Sequence, residues 1–121
     1  MTMKMVGDIH KQVAIDLAEC EEQTSTNEYV VVEGSALNAL PFTTVSYTIS
    51  VTTNNINWKV FGANKTDFSD EIEVQGEATV NAGDNSSYSV TPAPYGYYRV
   101  KIKSAVAGTA GKATIAGVAK G

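Results

Sequence analysis

From Thr44 onward the stretch 42–52 alternates between hydroxyl-bearing and apolar side chains. Val45, Tyr47, Ile49 and Val51 take one side, and Thr44, Ser46, Thr48, Ser50 and Thr52 the other. A period of two over this length belongs to a half-buried strand and fits no helix face. The alternation returns over 56–61 with Ile56, Trp58 and Val60, and over 87–91 with Tyr88 and Val90. Over 95–104, Tyr98, Val100 and Ile102 point inward while Tyr97, Arg99, Lys101 and Lys103 point outward. Further strands are predicted at 71–75, with Ile72 and Val74 inward, at 78–80 and at 112–119. Residues 29–33 form a β-branched run of the kind buried on both sides of a sheet.

Turn chemistry separates these runs. Thr53, Asn54 and Asn55 predict a hairpin, because Asn tolerates the positive φ of tight turns. Residues 34–41 read as a connection with room for one helical turn at 36–40. Gly76 marks a bulge or bend. Residues 81–86, Pro92 with Pro94, and residues 107–111 end the remaining strands. About seven or eight short strands at this spacing predict an all-β fold, an antiparallel β-sandwich, jelly roll or small barrel.

The first 28 residues read differently. Val6, Ile9, Val13, Leu17 and Cys20 keep helical spacing, yet Val13, Ile15 and Leu17 alternate with Ala14, Asp16 and Ala18 as in a strand. The reading adopted is an extended N-terminal arm, 1–28, with a strand at 12–18, followed by a β-sandwich domain, 29–121.

A chain of 121 residues suits this plan. It buries roughly two-thirds of its unfolded surface, enough for a core without covalent staples. Nine basic residues against thirteen acidic ones leave a net charge of −4, which argues against nucleic acid as a partner. Cys20 is the sole cysteine and has no internal disulfide partner. No apolar run approaches the ~20 residues of a membrane span, and no apolar segment follows Lys4 as in a secretory signal. Folding in the cytoplasm of the producing cell is the expectation.

Candidate chemistry is sparse. His10, the sole histidine, would have to serve any Ser-His or Cys-His dyad, and a chain terminus holds such geometry poorly. Asp67, Asp70, Glu71 and Glu73 could offer oxygens to calcium or act as a glycosidase pair, but their spacing matches no EF-hand loop. A solvated acidic edge that discourages sheet aggregation is the preferred reading. Arg99, Lys101 and Lys103 form a basic stripe, suited either to an acidic partner or to pairing across the sheet with Glu71 and Glu73. Trp58, in phase with Ile56 and Val60, reads as a core anchor. No catalytic residue, cofactor or metal is expected, and the chain is read as a non-enzyme without a small-molecule ligand.

Several phrases carry a resemblance. They are Tyr29-Val-Val-Val-Glu-Gly34, Leu40-Pro-Phe42, Val45-Ser-Tyr-Thr-Ile-Ser50, Asn57-Trp-Lys-Val-Phe-Gly-Ala-Asn64, Pro94-Tyr-Gly-Tyr-Tyr-Arg-Val-Lys-Ile-Lys-Ser104 and Gly111-Lys-Ala-Thr-Ile-Ala-Gly-Val-Ala-Lys120. Over residues 29–120 the chain resembles small structural proteins of tailed-bacteriophage virions. The resemblance implies a capsid decoration (cement) protein that binds the major capsid protein and copies of itself, as a trimer at a threefold position. It implies a virion location after synthesis in the host cytoplasm. A tail, neck or fibre component and a carbohydrate-binding module for host recognition are the alternatives. Partner contacts are expected at Ile9, Val13, Ile15 and Leu17 of the arm and at Arg99, Lys101 and Lys103; stacking on sugar would use Phe61, Phe68, Tyr95 or Tyr97. Residues 58–68 also look like a strand-loop phrase of discoidin-type, galactose-binding-like sandwiches, whose terminal disulfide this chain lacks.

Overall fold

The inward rows predicted above meet one another in the computed structural model, which describes residues 11–17 as backbone and residues 28–106 and 108–121 in full. The described strands are β1 (Lys11–Leu17), β2 (Val30–Val31), β3 (Leu37–Asn38), β4 (Thr44–Thr53), β5 (Ile56–Ala63), β6 (Ile72–Val80), β7 (Asn85–Val90), β8 (Tyr97–Ser104) and β9 (Lys112–Lys120). They form two antiparallel sheets. One has the order β1-β9-β4-β7; the other has the order β2-β8-β5-β6, with β3 also on β8.

The pairings are nested. β5 pairs with β6, β4 with β7, β2 and β3 with β8, and β1 with β9. The chain is therefore one long antiparallel ribbon, folded back at residues 64–71 and wrapped so that successive ribbon segments alternate between sheets. This is the jelly-roll arrangement. A strand lies at 11–17, where the alternation of Val13, Ile15 and Leu17 predicts one, and it pairs with β9 over seven positions. The rest of the 1–28 arm before Glu28, residues 1–10 and 18–27, lies outside the described residues.

The core lies between the sheets. Val45, Tyr47, Ile49 and Val51 enter from β4, Ile56, Trp58 and Val60 from β5, and Tyr98, Val100 and Ile102 from β8; all are buried. Trp58 is the anchor its phase predicts, fully buried. Its Nε1 has no acceptor among the described residues, so volume holds the ring. Tyr47 is anchored by polarity as well. Its hydroxyl donates to the Ser35 carbonyl at 2.6 Å. The Ser35 hydroxyl in turn accepts from the Val100 amide at 3.1 Å. Burial pushes the Tyr47 hydroxyl far above the ordinary tyrosine range.

Four expectations change. The turn at 53–55 is a corner between sheets and not a hairpin, because β4 already has β9 and β7 on its two edges. Asn54 does take the positive φ, 56°, and its amide donates to Ala110 O at 2.6 Å. The run 29–33 is not buried on both sides. β2 is an edge strand, so Val30 and Val31 are exposed and only Val32 reaches the core. Residues 36–40 form no helical turn. Leu37 pairs with Tyr98, and the Asn38 side chain accepts from Leu40 N in an Asx turn. Ile72 does not face inward but is 47% exposed. It pairs with Gly62, above which the Tyr95 ring and Val74 already fill the space. Gly76 sits in the expected bulge, where one residue of β5, Lys59, opposes two of β6, Gly76 and Glu77, between Trp58↔Ala78 and Val60↔Gln75.

Gly117 lies opposite Tyr47 in the β4–β9 register, and a Cβ there would come within 2.7 Å of the ring. The hydroxyl of that ring is tied to Ser35, so it has no free direction to retreat. Gly117→Ala is expected to destabilise the fold by about 1–3 kcal/mol. Gly76→Ala, with open space around it, should stay within about 0.5 kcal/mol. Urea midpoints of the two variants, at unchanged m-value, check the contrast.

Candidate functional site

With the inner faces filled, the outward rows carry the remaining chemistry. The outer face of the β2-β8-β5-β6 sheet concentrates it. β8 presents Arg99, Lys101 and Lys103 at alternate positions, and β5 presents Lys59 directly opposite Lys101. Like charges facing across a ladder repel. Carboxylates from the neighbouring β6 side relieve the strain. Glu71 accepts from Arg99 Nε at 2.9 Å and from Lys101 Nζ at 2.5 Å. Glu73 pairs with Lys59 at 3.0 Å, and Glu77 with Lys103 at 3.6 Å.

Each cation also lies against an aromatic ring. Arg99 stands 4.3 Å from the centre of Phe68 and Lys101 4.5 Å from that of Phe61. Lys59 and Lys103 flank Tyr29 at 4.6 and 5.0 Å. Such contacts contribute about 0.5–1 kcal/mol each at exposed sites. Tyr29 starts at the sheet edge, just before β2, and its hydroxyl reaches Glu77 on β6 at 2.6 Å. Burial first, then the Glu77 bond and charge, push that hydroxyl well above the ordinary tyrosine range. The Tyr29 hydroxyl, followed by the Lys103 and Lys59 charges, holds the Glu77 carboxyl below the usual carboxylate range.

The predicted basic stripe is thus one row of a mixed lattice of cations, carboxylates and rings. Its predicted partner Glu71 is in place, whereas Glu73 serves Lys59 and Lys103 turns to Glu77. Tyr29, Lys59 and Glu77 escaped sequence reading, because only the β8-β5-β6 register brings them together. The other two members of the predicted acidic group, Asp67 and Asp70, are committed to the 64–71 loop. Asp70 accepts from Asn64 N and Lys65 N, each at 3.1 Å, and Asp67 from Ser69 N at 2.9 Å. Among the described residues no group of three or more His, Cys, Asp or Glu is placed to hold a metal. Phe68 sits at a positive φ of 60°, held there by its buried ring under Arg99 and edge-on to Tyr97.

Of the expected arm contacts, Ile9 lies outside the described residues, as do His10 and Cys20. Positions 13, 15 and 17 pair with Gly117, Ile115 and Ala113. Of the rings considered for sugar stacking, Phe61 and Phe68 lie under cations, and Tyr95 packs on Gly62 and edge-on to Tyr98.

No family model matches the chain, and no curated protein matches it in sequence. Solved structures do resemble it in fold. The subunit of "Bacillus endospore appendages", described as "a novel family of disulfide-linked pili", aligns at TM-score 0.52 and 18% identity, over 93% of this chain and 87% of that one. The PBSX exported protein XepA aligns at TM-score 0.62 and 12% identity, over 89% of this chain but only 37% of XepA. The SPBc2 prophage-derived protein YomS aligns at TM-score 0.52 and 12% identity, over 97% and 99%. At these identities the likeness is one of fold.

Two outcomes follow from the lattice. Glu71→Gln removes the carboxylate shared by two half-buried cations and should lower stability by about 1–2 kcal/mol, against less than about 1 for Glu73→Gln. Urea midpoints read both. Glu77 has a depressed folded-state pKa, so its contribution is present above the ordinary glutamate value, about 4.3. It is lost as pH falls through the lower folded value. The Tyr29 ring resonances should shift with a midpoint below about 4.3, and Glu77→Gln should abolish that step.

Proposed function

We propose that this protein is a non-catalytic structural component of a tailed-phage particle, and specifically a decoration protein that binds and stabilises the assembled head. The observation that carries the reading is the filled jelly-roll body. Trp58, Tyr47 and Tyr98 occupy the space between the sheets, which leaves the outer faces to make contacts. The shared phrases over residues 29–120 support it, as do the phage-derived proteins XepA and YomS among the fold neighbours. A particle that binds such a body only when assembled gains stability by linkage.

The proposed contact surface is the lattice face with Arg99, Lys101 and Lys103. Its side chains are already fixed by carboxylates and rings, so docking orders little that is not ordered beforehand. The partners are the major capsid protein and further copies of this chain, grouped as a trimer on a threefold position. The protein is then made in the host cytoplasm and resides in the virion. A repeating subunit of a tail or fibre is the second reading, favoured by the pilus subunit among the fold neighbours.

Purified heads incubated with the protein decide between them. A decoration protein sediments with mature heads in hundreds of copies and raises the temperature at which they release DNA. The double variant Lys101→Ala/Lys103→Ala, checked for an intact thermal transition, should bind heads at least about tenfold more weakly. Absence from heads, or a few copies confined to the tail, would overturn the decoration reading.

A further inference from the structure

The strands at the edges of the two sheets differ in how well they are guarded. An edge presents a row of unbonded amides and carbonyls, a ready template for another strand. The β6 edge carries Glu73 and Glu77, with Glu71 just before it, and bulges at Gly76. β2 is only two residues long, and the sequence of β1 includes Lys11 and Asp16. β7 has none of these devices. Residues 85–90, Asn-Ser-Ser-Tyr-Ser-Val, hold no charge and no proline, and they pair with β4 without a register shift. Among the described residues no strand pairs with the other side of β7.

A bulge just ahead of β7 settles which of its backbone groups are open. Gly83, at φ 92°, donates its amide to Val51 O at 2.8 Å, and Val51 N donates to Asp84 O at 3.1 Å. Val51 thus turns both of its polar groups to the β7 side. Every second residue of a strand does the same. Ile49, Tyr47 and Val45 therefore meet Ser86, Tyr88 and Val90 in hydrogen-bonded pairs. The amides and carbonyls of Asn85, Ser87 and Ser89 point the other way, out of the sheet edge.

The side chains leave the same edge unfinished. Tyr88 and Val90 pack against the core but are only half-buried, at its margin. Ser87 and Ser89 are exposed on the outer face. The occupant that matches this edge is the edge itself. The chain carries a net charge of −4, so copies repel one another, and an uncharged stretch is where they can approach. Two β7 strands related by a twofold axis run antiparallel, the sense of every strand pair in the described fold. Residues opposite each other must share a face. An axis at Tyr88 meets that condition. Tyr88 then stands opposite the partner's Tyr88, Ser86 opposite the partner's Val90, and Ser87 opposite the partner's Ser89. The serine pairs exchange both backbone bonds, and the tyrosines form a pair of the closer, unbonded kind that covers the open core margin. Asp84 falls outside the paired stretch.

We infer that β7 is a self-association edge, at which two copies of this chain pair through residues 86–90 about a twofold axis and join two four-stranded sheets into one. The pairing does not rest on the capsid reading, and it leaves other surfaces free to group copies about a threefold.

Hydrogen exchange on the intact protein separates the two sets of amides. Those of Ser86, Tyr88 and Val90 should be protected at every protein concentration, because β4 holds them. Those of Ser87 and Ser89 should exchange freely in dilute solution and become protected as concentration rises, in step with a dimer mass in sedimentation equilibrium. Ser87→Pro removes an outward amide that the fold does not use, and should weaken the dimer at least about tenfold at an unchanged urea midpoint. Ser87→Lys/Ser89→Lys leaves the backbone intact and sets like charges opposite each other, so it should weaken the dimer as much even where proline disturbs the strand. A monomer at all concentrations would overturn the inference. So would a dimer in which the Ser87 and Ser89 amides still exchange freely, since the contact then lies elsewhere. Protection of those amides in a monomer would overturn it as well, since a segment of the same chain then covers the edge.

Discussion

Three aromatic side chains, Trp58, Tyr47 and Tyr98, must share the space between two sheets, and the rest of the molecule is arranged around their fit. Trp58 and Tyr98 come from neighbouring strands of one sheet and Tyr47 from the centre of the other. Tyr47 can enter only because Gly117 stands opposite it without a side chain. Its hydroxyl would be an unpaired donor in a dry interior, which costs about 1–3 kcal/mol. The Ser35 carbonyl removes that penalty. Ser35 is therefore drawn inside and ties the β2–β3 connection to β8 through Val100. One ring thus links β4, β9, β8 and the short edge strands.

A closed interior moves the interesting chemistry outward. On the β2-β8-β5-β6 sheet, cations would face each other across the β5–β8 ladder. The sheet tolerates this because β6 and the residue before it supply glutamates at matching heights, and rings separate the charges. The face is therefore nearly neutral while dense in charge. Such a surface attracts from a distance less than a basic stripe would, yet it discriminates well at contact, because each charge already has a fixed position. The other sheet presents hydroxyls instead, with Thr44 bonded to Thr91 at 2.9 Å and Ser46 to Ser89 at 2.7 Å. The two faces thus differ in chemistry although the ladders beneath them are alike.

The inward rows of β4, β5 and β8 were legible because the strand period is local. A residue two positions along always returns to the same face, whatever the strand pairs with. For the same reason Trp58 could be read as a core residue, and Gly76 as a bulge. Where the local signal misled, a partner strand was the cause. Val30 and Val31 have the composition of a central strand but lie on an edge. Ile72 keeps its phase but meets a space already filled by Tyr95 and Val74. Thr53, Asn54 and Asn55 have the chemistry of a hairpin, yet Asn54 turns a corner because both edges of β4 are occupied.

By itself the chain determined its class, the identity of most core residues and the outward placement of Arg99, Lys101 and Lys103. All of these follow from the two-residue repeat and from turn residues that act within a few positions. Only the tertiary structure decided which strands are neighbours, and so which glutamate meets which cation, why Tyr29 lies across the charged face, and which loops gather at one end. Those facts rest on contacts between residues tens of positions apart, such as Tyr29 with Glu77 and Tyr47 with Gly117. No periodicity within one strand encodes its partner, because register is settled jointly by the sheets as they close over a common core.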